Sequence, residues 1–216
     1  MNKNRLFPLA LTALASALLV VSLKLPLWQM RLEAPQYRAQ EALHIAVHPN
    51  ALQGDLKELK VLDQYIGVHV PPTLPQFKWL PGLLMAGAAL GLMAAFLGNR
   101  LRSSALALVS CALVAALAVA AFEAMGQIRT IGHQRDRKTV LVGVKDFTPP
   151  FLGTSKIAQF TVSSRFGLGA WVIGGALALQ LGAAWLSRCS ALETSSMKRS
   201  PLKNDARFAL ATSHLS

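Results

Sequence analysis

Charged side chains are scarce in this chain of 216 residues: Asp, Glu, Lys and Arg make up 15% of it, against about 25% in an average soluble domain. Acidic residues are the rarer kind, with 10 Asp and Glu against 22 Lys and Arg. Apolar residues reach 53%. This composition excludes an ordinary soluble domain and a disordered chain, since such chains carry more polar side chains and fewer apolar ones.

Cysteine is nearly absent, and the two that occur are Cys111 and Cys189. Cys111 lies within one apolar run and Cys189 at the end of another, so a disulfide framework is excluded. The sequence also lacks a phosphate-binding loop, a serine nucleophile elbow and a zinc-binding His-Glu-x-x-His helix. We therefore predict that the chain is not an enzyme.

Four long apolar runs are the dominant feature of the sequence. A helix needs about 20 apolar residues to cross a bilayer, and backbone amides in lipid must bond within their own segment. We predict an all-α integral membrane protein whose four transmembrane helices lie at residues 6–25, 80–98, 105–125 and 167–187. The alternatives are buried helices of a soluble core and, for the first run, a cleaved signal peptide. The absence of a cleavage pattern after Lys24 favours an uncleaved anchor.

Basic residues indicate the orientation. Lys and Arg are denser at both termini and between the second and third spans than in the two long loops. This difference places both termini and the short connection between the second and third spans in the cytoplasm. We predict a bacterial cytoplasmic membrane protein with cytoplasmic segments 1–5, 99–104 and 188–216, and extracytoplasmic loops 26–79 and 126–166. The net charge of +12 lies beside the membrane, where it attracts anionic headgroups, so the expected partner is the bilayer and not nucleic acid.

Small residues recur at every fourth position in three of the spans, which predicts a tightly packed bundle or a homo-oligomer. The stripe in the fourth span consists of Ala170, Gly174, Ala178 and Gly182. The spans contain no histidine and no buried charge pair, so we expect neither a haem held by two histidines nor an ion path. A transporter subunit is one function hypothesis, which the apparent lack of polar residues within the spans disfavours.

The first loop is predicted to contain a short strand and a surface helix. At residues 43–47 the large apolar side chains Leu43, Ile45 and Val47 alternate with His44 and Ala46, as on the two faces of a strand. Asp55 and Glu58 form a capping-box pattern before a helical stripe of leucines, and Gly67 is placed to end that helix. In the second loop, the rigid apolar segment 146–153 is expected to lie along the bilayer or to cap the first loop.

Several side chains in the first loop could bind a soft metal such as copper. The candidate ligands are Met30, His44, His48 and His69. In a strand, His44 and His48 would lie about 13 Å apart, which is too far for both to bind one ion. The alternative is that these histidines are ordinary solvent-exposed loop residues.

Both loops contain short segments with a distinctive pattern: Ala34-Pro35-Gln36-Tyr37, Gly54-Asp55 with Glu58 and Leu62, Tyr65-Ile66-Gly67, Phe147-Thr148-Pro149-Pro150 with Gly153, Ile157-Ala158 and Phe160-Thr161. In these segments the two loops resemble a poorly characterised family of multi-pass bacterial membrane proteins. The chain departs from the family pattern at four positions, with Gln64 and Val68 in place of a histidine and a methionine, and Lys60 and Asp63 in place of asparagines.

Members of that family occur beside nitrous-oxide reductase and other copper or respiratory gene sets, which implies an accessory role. We therefore expect a protein that docks or helps assemble a respiratory or copper-enzyme component through its loops. The expected docking residues are Asp55, Tyr65, Ile66, Gly67, Phe147, Pro149, Pro150 and Gly153. The alternative for each is an internal role in closing the loops, and a copper-handling protein is the second function hypothesis.

Overall fold

Four helices and a five-stranded sheet make up the computed structural model, which describes residues 3–33, 42–58, 74–133, 150–157 and 160–212. In chain order the elements are α1 (Lys3–Ser22), β1 (Trp28–Glu33), β2 (Leu43–Val47), β3 (Leu52–Gly54), α2 (Gln76–Ala95), α3 (Asn99–His133), β4 (Gly153–Ile157), β5 (Phe160–Phe166) and α4 (Leu168–Thr212).

Three helices are long and apolar enough to cross a membrane, over the stretches Gln76–Ala95, Asn99–Thr130 and Leu168–Leu192. The apolar part of α1, Leu6–Ser22, is shorter. These helices support a multi-pass membrane protein. The fourth crossing at residues 6–25 stays a prediction.

The helices form a bundle in which each packs against two others, in the cyclic order α1, α2, α3, α4. Small and branched apolar side chains fill its centre: Ala15, Leu19, Leu84, Ala88, Leu113, Ile173, Ala176 and Leu177. A smaller cluster near the opposite end from the sheet contains Ala94, Leu106, Ala183 and Ala184. Because α1 fills one position of this ring, it is an integral part of the bundle.

Helix ends depart from the sequence predictions because a helix need not stop where the apolar run stops. The segment 99–104, predicted as a loop, is the first part of α3, and only residues 96–98 connect α2 to α3. The segment 188–216, predicted as a cytoplasmic segment after the fourth span, continues α4 as far as Thr212. Apolar length therefore predicted where helices occur but not where they begin and end.

The small-residue stripes have different roles in the structure. Gly87 and Gly91 of α2 are buried, and a Cβ at Gly87 would lie 2.6 Å from the Leu113 side chain of α3. In α4, by contrast, Gly174 and Ala178 are exposed, and a Cβ at Gly174 or Gly182 would meet no atom within 4 Å. The α2 stripe thus allows close helix packing within the bundle, whereas the α4 stripe lies outside the packed interface.

The sheet is the main departure from the predicted all-α fold. Its strand order is β3-β2-β1-β5-β4, and every neighbouring pair is antiparallel. The predicted strand at residues 43–47 is confirmed as β2, but four further strands accompany it. Of the predicted surface helix, residues 56–58 are helical, and the rest lies outside the described residues.

Candidate docking surface

The sheet is attached to the bundle where α1 ends and α4 begins. The Gly167 amide donates to the Leu27 carbonyl at 2.9 Å, and the Gly169 amide donates to the Pro26 carbonyl at 2.8 Å. A Cβ at Gly167 would collide with the Pro26 carbonyl oxygen, so this close approach needs glycine. The Leu27 amide in turn donates to the Val47 carbonyl at 2.7 Å. These bonds join both long loops to the same end of the bundle.

One face of the sheet is mostly apolar and is buried at its centre. Ile45 of β2 and Val162 of β5 are 5% and 2% exposed, and both point to the face that also carries Met30 and Ser164. Side chains directly opposite each other in an antiparallel pair share a face. The alternation along β1 and β5 therefore places their apolar residues together.

An aromatic cluster holds the second loop against the first. Phe151 stacks on Trp28, with ring centroids 6.2 Å apart, and meets Phe166 edge-on at 6.4 Å. The Trp28 Nε1–H also donates to the Phe151 carbonyl at 2.7 Å. The prediction that segment 146–153 caps the first loop holds for Phe151. Trp28 therefore links the two loops.

The other face of the sheet is polar and holds a hollow of about 500 Å³. Two rows of side chains cross the strands beneath it. The first row consists of His44, Arg31, Ser163 and Thr154, and the second of Ala46, Gln29 and Arg165. Arg31 forms an ion pair with Glu33 at 2.9 Å, and the Arg165 Nε–H donates to the Gln29 Oε1 at 3.3 Å.

The predicted docking residue Asp55 lies at the edge of the sheet. Its carboxylate accepts a hydrogen bond from the His44 amide at 2.9 Å, and its own amide donates to the His44 carbonyl at 3.1 Å. Gly54 precedes it with φ of 120°, and a Cβ there would collide with the His44 carbonyl. These contacts give Asp55 a role in closing β2 against β3.

The other predicted docking residues are only partly described. Pro150 is half-buried just before the aromatic contact of Phe151, and Gly153 begins β4 with φ of 99°. The remaining five, Tyr65, Ile66, Gly67, Phe147 and Pro149, lie outside the described residues.

The predicted metal ligands are not brought together where the structure describes them. Met30 is opposite Ile45, and His44 is opposite Arg31, so Met30 and His44 point to opposite faces of the sheet. His48 lies in the turn after β2, where its amide donates to the Ala51 carbonyl at 2.9 Å, and His69 lies outside the described residues. No group of three or more His, Cys, Asp or Glu that could hold a metal occurs among the described residues.

Sequence reasoning named Met30, His44 and Gly153, for other roles, but missed the remaining residues that line the hollow. Gln29, Arg31 and Glu33 alternate with Trp28, Met30 and Leu32, which is a strand pattern as regular as that of β2. That alternation could have predicted β1 and its polar face. The pairing of β1 with β5, which places Arg165 beside Gln29, has no local signal in one sequence.

Sequence reasoning also missed a polar layer inside the bundle, formed by Ser16 of α1, Ser110 of α3 and Gln180 of α4. Gln180 is fully buried, and its Oε1 accepts a hydrogen bond from the Ser110 hydroxyl at 3.2 Å. The Ser16 hydroxyl donates to the Ala88 carbonyl at 3.0 Å. The spans are therefore not free of polar side chains, which weakens the argument used above against a transporter, although the layer contains no ionisable group.

Comparison with known proteins yields no family: no model of a protein family matches the chain, and none of the curated proteins matches it. The family resemblance of the loops therefore stays a prediction.

Proposed function

We propose that this protein is a non-enzymatic accessory protein of a bacterial cytoplasmic membrane, and that the polar face of its sheet docks a partner. The observation that carries this proposal is the pairing of β1 with β5. It joins two segments that are more than a hundred residues apart in sequence into one surface, and it is tied to the bundle at Pro26 and Gly167.

The arrangement of burial supports docking at the polar face. The apolar face is already occupied by contacts such as those of Trp28 with Phe151, whereas His44, Thr154 and Arg165 on the other face are exposed. Loops held by a rigid scaffold are common sites of binding, since their side chains are positioned in advance. The hollow on this face gives a partner a defined shape to fit.

The proposal includes four membrane crossings with the sheet on the extracytoplasmic side. Its support is the density of Lys and Arg at the other end of the bundle, where Arg100 and Arg102 begin α3. By the resemblance of the loops, the partner would be a component of a respiratory or copper-enzyme assembly.

Site-specific photo-crosslinking in native membranes tests this function. A photo-crosslinking residue at position 154 lies on the polar face, and one at position 108, where Leu108 is 71% exposed on α3, is the matched control. We expect position 154, but not position 108, to crosslink to a protein that mass spectrometry identifies as a respiratory or copper-enzyme component. Identical products from both positions, or lipid alone from position 154, would contradict the proposal.

A further inference from the structure

We propose that the hollow on the polar face binds an acidic segment of the docking partner, with a carboxylate of that segment on the Arg165 guanidinium. This inference rests on the docking function proposed above. It concerns the chemistry of the partner, which the docking proposal leaves open.

The shape of the hollow follows from the lengths of its side chains. Ala46, Ser163 and Thr154 are short and leave space on either side of the central strand β1, while the longer Arg31 and Arg165 lie beside them. The first row crosses four strands, which at about 4.8 Å between strands gives a width of about 14 Å. This width is suited to a short peptide segment.

The charge of the hollow favours an anion. Arg31 and Arg165 both point into it, with His44 in the same row as Arg31, and Glu33 is the one acidic residue that lines it among the described residues. Glu33 forms its ion pair with Arg31. Arg165 makes one hydrogen bond in the part of the chain that the structure describes, from Nε to Gln29, so its terminal nitrogens are available to a ligand.

The two arginines lie close enough together to act on one acidic segment. Ser163 is opposite Arg31, and Arg165 is two residues further along β5, which makes the arginines diagonal neighbours about 7–8 Å apart. A guanidinium binds a carboxylate through two parallel hydrogen bonds, which the Arg165 terminal nitrogens can supply. Arg31, which is paired with Glu33, adds a second positive charge beside that carboxylate. The Ser163 and Thr154 hydroxyls, 3.4 Å from each other, add polar groups to the same hollow.

The test uses the full-length protein in phosphatidylcholine nanodiscs and a hexapeptide that alternates glutamate with threonine. Its counterpart has glutamine in place of glutamate. Binding is followed by fluorescence anisotropy with an uncharged dye. The variant is Arg165→Gln, and the control is Lys156→Gln, which removes the same charge from the same face but outside the hollow.

We expect the glutamate peptide to bind and the glutamine peptide to bind at least about tenfold more weakly, since charge-assisted hydrogen bonds are lost. Arg165→Gln should weaken glutamate-peptide binding by about tenfold and Lys156→Gln by less than about twofold. Arg165→Lys keeps the charge but not the two-pronged donor, so its affinity should lie between those of the wild type and Arg165→Gln. An unchanged thermal unfolding profile shows that these variants fold.

Three results would overturn the proposal. Equal binding of the two peptides would show that carboxylates are not recognised. Equal losses in Arg165→Gln and Lys156→Gln would show a general charge effect. Displacement of the peptide by phosphatidylglycerol added to the discs would assign the hollow to a lipid headgroup. If one of these results is found while position 154 of the wild type still crosslinks to its partner, docking stands and the acidic segment does not.

Discussion

Gly91 of α2 lies directly against the side-chain amide of Gln180 of α4, so that a Cβ at position 91 would be 2.6 Å from the Gln180 Nε2 and 3.4 Å from the Ser16 Oγ. A buried amide in the centre of a bundle requires space that only glycine on the facing helix leaves. This contact brings α1, α2 and α4 together at the polar layer.

Gly91→Ala is expected to destabilise the bundle, because the new methyl group must displace an amide that is fully buried and bonded to Ser110. We expect the free energy of unfolding to fall by about 1 kcal/mol, which is at the lower end of the cost of overpacking a core. Denaturant titration in mixed micelles measures this change. Gly174→Ala is the control, since a Cβ there meets nothing within 4 Å. If Gly91→Ala lowers the free energy of unfolding by the same amount when Gln180 is also replaced by alanine, the close contact between Gly91 and Gln180 is not the cause of the destabilisation.

The hydrogen bond between Ser110 and Gln180 should couple α3 to α4. In a double-mutant cycle with Ser110→Ala and Gln180→Leu, we expect a coupling free energy of about 0.6 kcal/mol, the average for polar contacts between membrane helices. The same unfolding titration measures it. Strictly additive effects of the two substitutions would show that the bond seen at 3.2 Å contributes nothing.

Trp28→Phe should destabilise the sheet, since it removes the Nε1–H that donates to the Phe151 carbonyl and keeps an aromatic ring. A lost hydrogen bond of this kind costs about 1 kcal/mol. Trp171→Phe, at a side chain that is 72% exposed, is the control and should change stability by less than about 0.5 kcal/mol. Limited proteolysis near Phe151 should become faster in Trp28→Phe alone. Equal proteolysis of the two variants would contradict the role assigned to Trp28.

Gly167→Ala should weaken the attachment of the sheet to the bundle. Its Cβ would collide with the Pro26 backbone, which cannot move aside as a side chain can, so we expect a cost of about 2 kcal/mol or more. Gly126→Ala, at a helical glycine with open space, is the control and should not destabilise the protein. Equal stability of the two variants, measured by thermal unfolding, would show that the backbone contact adapts.

The sequence predicted those features that have a local pattern. Large apolar side chains occupy every second position of residues 43–47, and β2 spans the same residues. Charge-free runs predicted the helices, since the apolar requirement of lipid is read directly from composition. The sequence did not indicate the role of Gln180, because a single amide hardly changes the mean hydropathy of a span. In the structure Gln180 is fully buried and bonded to Ser110 in the centre of the bundle.

The sheet as a whole could not be predicted, because its pairings are non-local. Trp28 is opposite both Val47 and Phe166, and no property of the intervening sequence indicates the second pairing. The candidate docking surface depends on that pairing, since Arg165 reaches the hollow only through β5. The docking residues inferred from the resemblance therefore differ from those that the geometry brings together, and Gly153 alone belongs to both sets.

The central claim is that the polar face of the sheet lies outside the cytoplasm, and labelling of single cysteines tests it most directly. Cys111 and Cys189 are first replaced by serine, and Thr154→Cys and Gly98→Cys are then made separately at opposite ends of the bundle. In intact spheroplasts a membrane-impermeant maleimide should label position 154, and it should label position 98 only after the membrane is permeabilised. Labelling of position 98 in intact spheroplasts, with position 154 protected until permeabilisation, would contradict the account.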